Sequence, residues 1–263
     1  MKLFFSNLKK FRSYLKYAPV AILKTEVADT YLNWLWWFLD PLLFMMVYTF
    51  VAQIIFSSKI QYFPLFVFIG LNAWNIFDRS VKRGLIMVRA YKPIISKTYV
   101  PKYILVMVRM IVETIKVGCS YVILIVMMII YRVPVTWHIV EVIPLFLLLF
   151  LVSFSASTIM LHCGVYVSDL NNIVSVGLRL MFYMTGIFYN IENKAIMDYP
   201  VVSFILLNLN PLGLIIRGMR NCILYGCSPE WDAILIWFVF AIAYCALGVH
   251  LVHKHEHAYV KVV

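Results

Sequence analysis

The residues of this sequence that could carry out chemistry are charged side chains within long apolar runs. A charge in an apolar medium costs free energy, so each of them is a candidate functional group. They are Asp40, Arg109, Glu113, Lys116 and Arg179. Glu113 lies four residues after Arg109 and three before Lys116, a spacing that lets the three pair along one helix. We therefore expect these three to neutralise one another rather than to catalyse a reaction.

Asp40 and the tryptophans before it form a second candidate group. Asp40 directly precedes Pro41, and Trp34, Trp36 and Trp37 come just before it. Indole rings favour the headgroup level of a membrane, so this cluster is expected near the start of a membrane span. Aromatic rings that face a pore could instead stack on sugar rings, and the sequence leaves both orientations open.

Motifs for catalysis and metal binding are absent from the 263 residues. No G-x-x-x-x-G-K-[ST] phosphate loop occurs, so nucleotide would have to be hydrolysed by a partner chain. No zinc or nucleophile motif is present, and we predict no catalytic residue and no metal site. A histidine cluster near the end of the chain could bind a metal, but we interpret it as a water-exposed tail. It contains His250, His253, His255 and His257.

The five cysteines do not predict a disulfide framework. Cys119, Cys163 and Cys245 lie in apolar runs, where a thiol is most simply a packing group. Cys222 and Cys227 could form a disulfide if both face an oxidising exterior, and this pairing is left open.

The elements that position these residues must be membrane helices, because 63% of the residues are hydrophobic, 13% are charged and the mean hydropathy is +0.89. A span needs roughly 20 apolar residues, so the chain has room for about six helices in one transmembrane domain. The net charge of +11 would suit a nucleic-acid binder if the bases formed a patch on a soluble face. They lie between apolar runs instead, as in cytoplasmic loops, so we predict no nucleic-acid partner.

The apolar runs predict an all-α integral membrane protein with six transmembrane helices. These spans cover residues 35–56, 62–77, 103–131, 144–165, 174–191 and 233–252. Residues 203–226 are apolar but interrupted by Asn210-Pro211 and by Arg217 and Arg220. This interruption is typical of a re-entrant hairpin, which we place on the outer side before the last helix.

Lysine and arginine residues predict the orientation, because positively charged short loops stay in the cytoplasm. Six of them lie in residues 1–33 and seven lie in the loop 78–102. The alternate loops carry only Lys59, Arg132 and Lys194. Both termini are therefore expected in the cytoplasm. Arg217 and Arg220 would then lie on the outer side, where the charge rule does not explain them.

Residues 1–33 are expected to form a cytoplasmic helix in the membrane interface rather than a cleavable signal peptide. Apolar residues recur at helical spacing, at Phe4, Leu8, Phe11 and Leu15. Basic residues lie on another face, where they would meet anionic headgroups. They are Lys2, Lys9, Arg12 and Lys16. A solvated basic tail is the alternative, and residues 34–263 form the transmembrane domain in either case.

Five stretches together resemble the permease subunit of ABC exporters for lipid-linked polysaccharides, the group that includes O-antigen and teichoic acid exporters. They are WLWWFLDPLLFMMVYTF at 34–50, GLNAWNIF at 70–77, KPIISKTYVPKYIL at 92–105, YVSDLNNIV at 166–174 and NLNPLGLIIRGMRNCILYG at 208–226. They follow the order of that family over nearly the whole chain. The chain departs at Thr185-Gly186, where a Ser-Pro pair is common, and at Tyr31-Leu32-Asn33, where a Leu-Gly commonly precedes the first span.

The resemblance implies a half-transporter that is not an enzyme. Two copies of this chain would form the channel, and two copies of a separate ABC ATPase would power it with ATP and Mg²⁺. The chain itself would bind no cofactor. Its cargo would be a polysaccharide or teichoic acid on a polyprenyl diphosphate, carried across the bacterial cytoplasmic membrane.

The resemblance also implies roles for individual residues. A segment within the loop 78–102 would dock on the ATPase, and its prolines would make it a rigid lever. Its residues are Arg89, Lys92, Pro93, Ile94, Ser96, Lys97, Thr98, Tyr99, Pro101 and Lys102. Channel or cargo contacts would come from Trp34, Trp36, Trp37, Asp40, Asn210, Pro211, Arg217 and Arg220. Lys9, Arg12 and Lys16 would attract the lipid diphosphate.

Two other classes of function stay open. An ABC permease that exports drugs or peptides would keep the six spans and the ATPase partner. An intramembrane enzyme acting on lipid-linked sugars would need a catalytic acid or base, and the isolated Asp169 and His162 are poor candidates.

Overall fold

The computed structural model describes residues 2–28, 33–55, 60–167, 169–191, 198–199, 201 and 204–262. Within these ranges the chain forms helices and turns and no strand, which confirms the all-α prediction. Lys59 and Lys194, which entered the orientation argument, lie outside the described residues, as do Tyr31 and Leu32.

The predicted N-terminal helix is two helices, α1 (Lys2–Lys10) and α2 (Arg12–Ala28). The apolar stripe packs against the core of the bundle through Phe4, Leu8, Phe11 and Leu15. The ring of Phe4 lies 5.4 Å from the ring of Tyr103, and Asn7 Nδ2 donates a hydrogen bond of 2.6 Å to the Tyr103 hydroxyl. Protein therefore covers part of this stripe.

The next two helices differ from the predicted spans. Helix α3 (Trp36–Thr49) continues into a π-helical turn, Phe50–Ile55. Helix α4 (Phe63–Ala90) runs far beyond residue 77, so the predicted loop 78–102 is wrong in its first half. The helix continues because Val81, Leu85 and Val88 recur at helical spacing and stay buried while the opposite face becomes charged.

Three described helices are long and apolar enough to cross a membrane. They are α6 (Lys102–Ile130), α7 (Val142–Tyr166, preceded by the 3₁₀ turn Trp137–Glu141) and α10 (Trp231–Val262). They match the predicted spans 103–131, 144–165 and 233–252. Helix α10 extends through the histidine cluster, so the cluster is helical rather than a tail after the last helix, although His250 and His253 are exposed as expected.

The predicted fifth span is shorter than expected. Helix α8 (Leu170–Met184) has 15 residues and ends before Gly186, whose φ of +69° favours glycine. A π-helical turn at Ile205–Leu209 comes before a break at Asn210, and helix α9 (Pro211–Arg220) follows with a second π turn, Asn221–Tyr225. Asn210 Oδ1 caps α9 by accepting the backbone N–H groups of Leu212 at 3.1 Å and Gly213 at 3.2 Å.

Helices α4, α7 and α10 approach closely through small residues. A Cβ at Gly84 of α4 would lie 2.5 Å from the carbonyl oxygen of Ser157 on α7, and a Cβ at Gly248 of α10 would clash with Thr158. The Ser157 hydroxyl donates a 2.9 Å hydrogen bond to the Ser80 carbonyl across the α4–α7 contact. Small residues and hydroxyls of this kind are what hold membrane helices together.

Helix α4 lies at the centre of the bundle, in contact with α3, α6, α7, α8 and α9, while α10 packs on α7. Arg79, in the charged second half of α4, reaches both Asp40 of α3 and Glu113 of α6, and this arrangement positions the site described next.

Candidate functional site

Charged side chains from α2, α3, α4 and α6 form a continuous series of alternating sign, which we call the charge chain. Its links are Arg109 Nη1–Glu26 Oε1 at 3.0 Å, Glu26 Oε2–Lys116 Nζ at 2.6 Å, Lys116 Nζ–Glu113 Oε1 at 3.5 Å, Glu113 Oε2–Arg79 Nη1 at 3.7 Å and Arg79 Nη2–Asp40 Oδ2 at 2.6 Å. Three acids and three bases alternate, so their charges cancel.

The pairing predicted within α6 is only partly correct. Glu113 and Lys116 do pair, but Arg109 does not reach Glu113. Arg109 binds Glu26 of α2 instead, and its Nε donates a 2.9 Å hydrogen bond to the Tyr91 hydroxyl. The spacing within one helix could not reveal this, because the competing carboxylate comes from a different helix.

The charge chain makes buried charges tolerable inside the bundle. The Glu113 residue is only 3% exposed, and a carboxylate so placed is strongly unfavourable unless it is paired. Arg79 and Lys116 lie on either side of it. Loss of one link would therefore leave a buried charge unpaired.

The pKa of Glu26 is lowered by nearby basic side chains, two of which belong to the charge chain. Burial raises the pKa of Glu26, but the hydrogen bond from Lys116 and the charges of Lys116, Arg109 and Arg83 outweigh burial, so its pKa lies below the ordinary value. A lowered pKa in the folded state stabilises the fold at neutral pH and loses this effect only as the pH falls through that pKa. The link between α2 and α6 therefore persists at physiological pH.

A polar cavity of about 180 Å³ lies beside the charge chain. Its walls include Asn72, Asn75 and Ser120 together with the rings of Trp36 and Trp37. The structure thus brings two of the three predicted tryptophans to the neighbourhood of Asp40. Trp34 does not line this cavity, and its side chain is exposed.

A larger cleft of about 490 Å³ opens on the other side of Asp40, between α3, α4 and α8. We call it the aromatic cleft. Its rings are those of Phe44, Tyr48, Trp74, Phe182 and Tyr183, and its charged groups are Asp40, Asp78, Lys82 and Arg179. Flat apolar faces beside hydrogen-bonding groups suit a ligand with both apolar faces and hydroxyls.

Sequence reasoning missed most of the aromatic cleft. Phe44 and Tyr48 are four residues apart on α3, as are Trp74 and Asp78 on α4, so each helix carries a visible face. No pattern in the sequence shows that these faces meet α8.

Arg220 of α9 is a buried clamp rather than an exposed base. It is 5% exposed, and its guanidinium carbon lies 3.3 Å from the centroid of the Phe66 ring. Its three nitrogens donate to three main-chain carbonyls, with distances of 3.0 Å to Phe66, 2.9 Å to Gly186 and 2.9 Å to Ile187. Arg220 therefore joins α9 to α4 and to the turn after α8.

The other residues assigned to the outer segment also have local partners. Arg217 Nη2 lies 2.6 Å from Glu230 Oε2, and Asn210 caps α9 as described above. Arg217 and Arg220 line a cavity of about 250 Å³ with Phe66 and Tyr225. This cavity is separate from the aromatic cleft in its lining residues, so the structure does not bring the two groups of predicted contacts together.

The proposed ATPase-docking residues divide into two sets. The outward set is exposed and lies in the last turn of α4 and in the segment between α4 and α6, which includes a short helix α5 (Lys92–Ile95). It contains Arg89, Lys92, Pro93, Ile94, Ser96, Lys97 and Thr98. Pro101 and Lys102 are buried at the start of α6, and the Tyr99 hydroxyl points back to the bundle, where it binds Glu256. We call residues 91–101 the coupling segment.

The residues considered for enzymatic or metal chemistry have other surroundings. His162 Nδ1 lies 2.7 Å from the Tyr259 hydroxyl, and Asp169 is exposed at the start of α8. Among the described residues, no group of three or more His, Cys, Asp or Glu side chains could hold a metal. Cys222 and Cys227 are free, the first buried and the second exposed.

The three bases proposed to attract a diphosphate, Lys9, Arg12 and Lys16, are exposed on α1 and α2. Their helices are held to the bundle by the stripe around Phe4 and by Glu26. The bases therefore face away from protein, as the amphipathic pattern predicts.

Comparison with known proteins identifies the family. Two proteins from Klebsiella pneumoniae, each named O-antigen export system permease protein RfbA, are 25% identical to this chain over 242 and 244 residues, which is 92% of this chain and 91% of each relative. A Myxococcus xanthus protein of the same name is 30% identical over 190 residues, which is 72% of each chain. This chain belongs to the O-antigen export system permease family. No family model matches it.

Family membership confirms the resemblance drawn from the five motifs. The permease is a membrane transporter subunit and not an enzyme, and ATP hydrolysis lies in a partner chain.

Replacement of Arg220 by Lys should lower the stability of the permease by about 1–3 kcal/mol. A single ammonium group cannot reach three carbonyls set around a planar fork, so at least one buried carbonyl loses its donor. Thermal unfolding of the purified protein in detergent measures this. Arg132→Lys, at an exposed position in the turn after α6, is the matched control and should leave the midpoint unchanged. Equal midpoints for the two variants would show that Arg220 is not a clamp.

Proposed function

We propose that the permease is the membrane-spanning half of an ATP-driven exporter that moves an O-antigen, linked to a polyprenyl diphosphate, across the bacterial cytoplasmic membrane. The similarity to O-antigen export system permeases over 92% of the chain carries this proposal. Teichoic acid exporters have a cargo of related chemistry, but the names of the relatives favour O-antigen.

The proposed transporter contains two copies of the permease and two copies of an ABC ATPase. Each copy would span the membrane six times, through α3 with its π turn, α4, α6, α7, α8 and α10. The two arms that meet at Asn210 would form the re-entrant hairpin on the outer side. The length and apolarity of α6, α7 and α10 support this arrangement.

The aromatic cleft would form part of the path for the glycan. Sugar rings have apolar C–H faces that pack on aromatic rings and hydroxyls that bind carboxylates and amides. Tyr48 and Trp74 supply rings, while Asp40, Asn75 and Asp78 supply acceptors. This mixture favours a hydroxyl-rich cargo over an apolar drug. A second copy placed against the open side of the cleft would close the path.

The exposed bases on α1 and α2 would act before the cargo enters the path. Lys9, Arg12 and Lys16 face away from the bundle and would lie among anionic lipid headgroups at the cytoplasmic surface. A diphosphate is negatively charged like those headgroups, and its negative charge is concentrated in a smaller group. The bases would therefore concentrate the lipid-linked cargo beside the bundle.

The proposed orientation places the coupling segment inside and the turn before α10 outside. In intact cells, a membrane-impermeant thiol reagent should label the native Cys227, which is exposed, because it follows the outer hairpin. After Cys227→Ser, labelling should disappear. A Lys97→Cys substitution in that background should be labelled only after the membrane is permeabilised. Labelling of position 97 in intact cells would exclude the proposed topology.

The outward set of the coupling segment should carry the contact with the ATPase. Replacement of both Ile94 and Lys97 by Ala removes two exposed side chains, and a central interface contact is worth about 2 kcal/mol or more. We expect normal membrane insertion and a loss of surface polymer, with or without a loss of the co-purified ATPase.

The matched control replaces Arg132 and Val135, which are also exposed in the turn after α6, by Ala. These two positions are exposed but differ in exposure from Ile94, since Val135 is 74% exposed and Ile94 is 43% exposed, and the control variant should keep both polymer and partner. Normal export by the Ile94 and Lys97 variant would show that energy enters elsewhere in the permease.

A further inference from the structure

The coupling segment is tied to the far end of the chain by one side-chain hydrogen bond. The Tyr99 hydroxyl donates to Oε1 of Glu256 at 2.6 Å, across a sequence separation of 157 residues. Tyr99 lies between α5 and α6, and Glu256 lies near the end of α10. In the proposed orientation this bond lies on the cytoplasmic side.

Glu256 is held in a buried polar site. The residue is 1% exposed, and Lys102 beside it is 3% exposed. Lys102 Nζ lies 5.5 Å from the centroid of the Tyr99 ring, and His253 Nδ1 lies 3.4 Å from Glu256 Oε1. Glu256 Oε2 has no hydrogen-bond partner among the described residues. A carboxylate this buried depends strongly on the few donors that it has.

The Tyr99 hydroxyl keeps its proton and so remains the donor in this hydrogen bond. Burial, followed by the hydrogen bond and the charge of Glu256, raises the pKa of Tyr99 well above its ordinary value, so the phenol stays protonated at physiological pH. The Tyr99 residue as a whole is 53% exposed. The Tyr99 hydroxyl therefore binds Glu256 of the bundle, while much of the rest of the residue is exposed to solvent.

The end of α10 that carries Glu256 is itself fixed to α7. The Tyr259 hydroxyl lies 2.7 Å from His162 Nδ1, and the rings of His162 and His255 are 4.9 Å apart. Earlier in α10, Gly248 allows the helix to touch Thr158 of α7. A displacement of Glu256 would therefore move α10 and α7 together.

We propose that Glu256 is a positioning residue that receives motion of the coupling segment through Tyr99 and passes it to α10 and α7. The inference rests on the proposed function, in which the ATPase acts on the outward set of the segment. Motion of the coupling segment reaches the last helix directly only through contacts between the two. The Tyr99–Glu256 hydrogen bond is such a contact, made by side chains of the segment and of α10. In this proposal Tyr99 acts through its bond to Glu256 rather than through a contact with the ATPase.

Tyr99→Phe in the complete transporter tests this inference, because it removes only the hydroxyl. The ratio of polymer exported to ATP hydrolysed should fall about five-fold or more, the lower end of typical couplings between distant sites. Co-purification of the ATPase should be unchanged. A purely structural defect would lower the amount of assembled transporter but not this ratio. Tyr131→Phe, at an exposed position after α6, is the matched control and should keep the wild-type ratio.

Glu256→Gln provides the second arm. The amide oxygen still accepts a hydrogen bond from Tyr99, so the ratio should fall less than in Tyr99→Phe. The double variant should match Tyr99→Phe alone, because both changes act on one bond.

Four results would separate the possible failures. An unchanged ratio in Tyr99→Phe, or additive effects in the double variant, would overturn the role of Glu256. Loss of the ATPase from Tyr99→Phe would also overturn it, since Tyr99 would then contact the partner, but it would leave the proposed function standing. An absence of ATP-dependent polymer export by the wild-type complex would contradict the proposed function itself.

Discussion

The charge chain is the interaction on which the arrangement of this bundle depends. Apolar helices gain little from the hydrophobic effect once they are surrounded by lipid, so packing and polar contacts decide how they assemble. Six charges that alternate in sign from Arg109 to Asp40 join four helices and cancel one another. Each charge would be unfavourable alone, and together they fix which faces of α2, α3, α4 and α6 meet.

Helix α4 connects the features of functional interest along its length. Near its start, the Phe66 carbonyl binds the Arg220 clamp. In its middle, Trp74 lines the aromatic cleft, and Arg79 lies in the charge chain. At its end, Ala90 leads into the coupling segment. One helix therefore connects the coupling segment to the proposed glycan path and to the proposed outer hairpin.

The sequence predicts α6, α7 and α10 well because each contains a long apolar run, which in α6 follows the charged positions Arg109, Glu113 and Lys116. It fails at the second half of α4, where Val81, Leu85 and Val88 keep one face apolar while charges accumulate on the other. Pairings between distant positions, such as Glu26 with Lys116 and Tyr99 with Glu256, have no local signal. The Arg220 clamp is hidden for a different reason, because its partners are carbonyl groups that every residue carries. The aromatic cleft forms only where faces of α3, α4 and α8 meet, so no single stretch of sequence reveals it.

A double-mutant cycle on Glu26 and Lys116, measured as unfolding free energy in detergent, tests the central role of the charge chain most directly. Their 2.6 Å contact joins α2 to α6. Glu26→Gln and Lys116→Gln should each destabilise the protein, and the double variant should be more stable than the sum predicts by about 0.5–3 kcal/mol. The partly exposed Asp78–Lys82 pair, four residues apart within α4, is the control, with an expected coupling of about 0.3–0.5 kcal/mol. Effects of Glu26→Gln and Lys116→Gln that simply add would show that the charges are neighbours without holding the helices together.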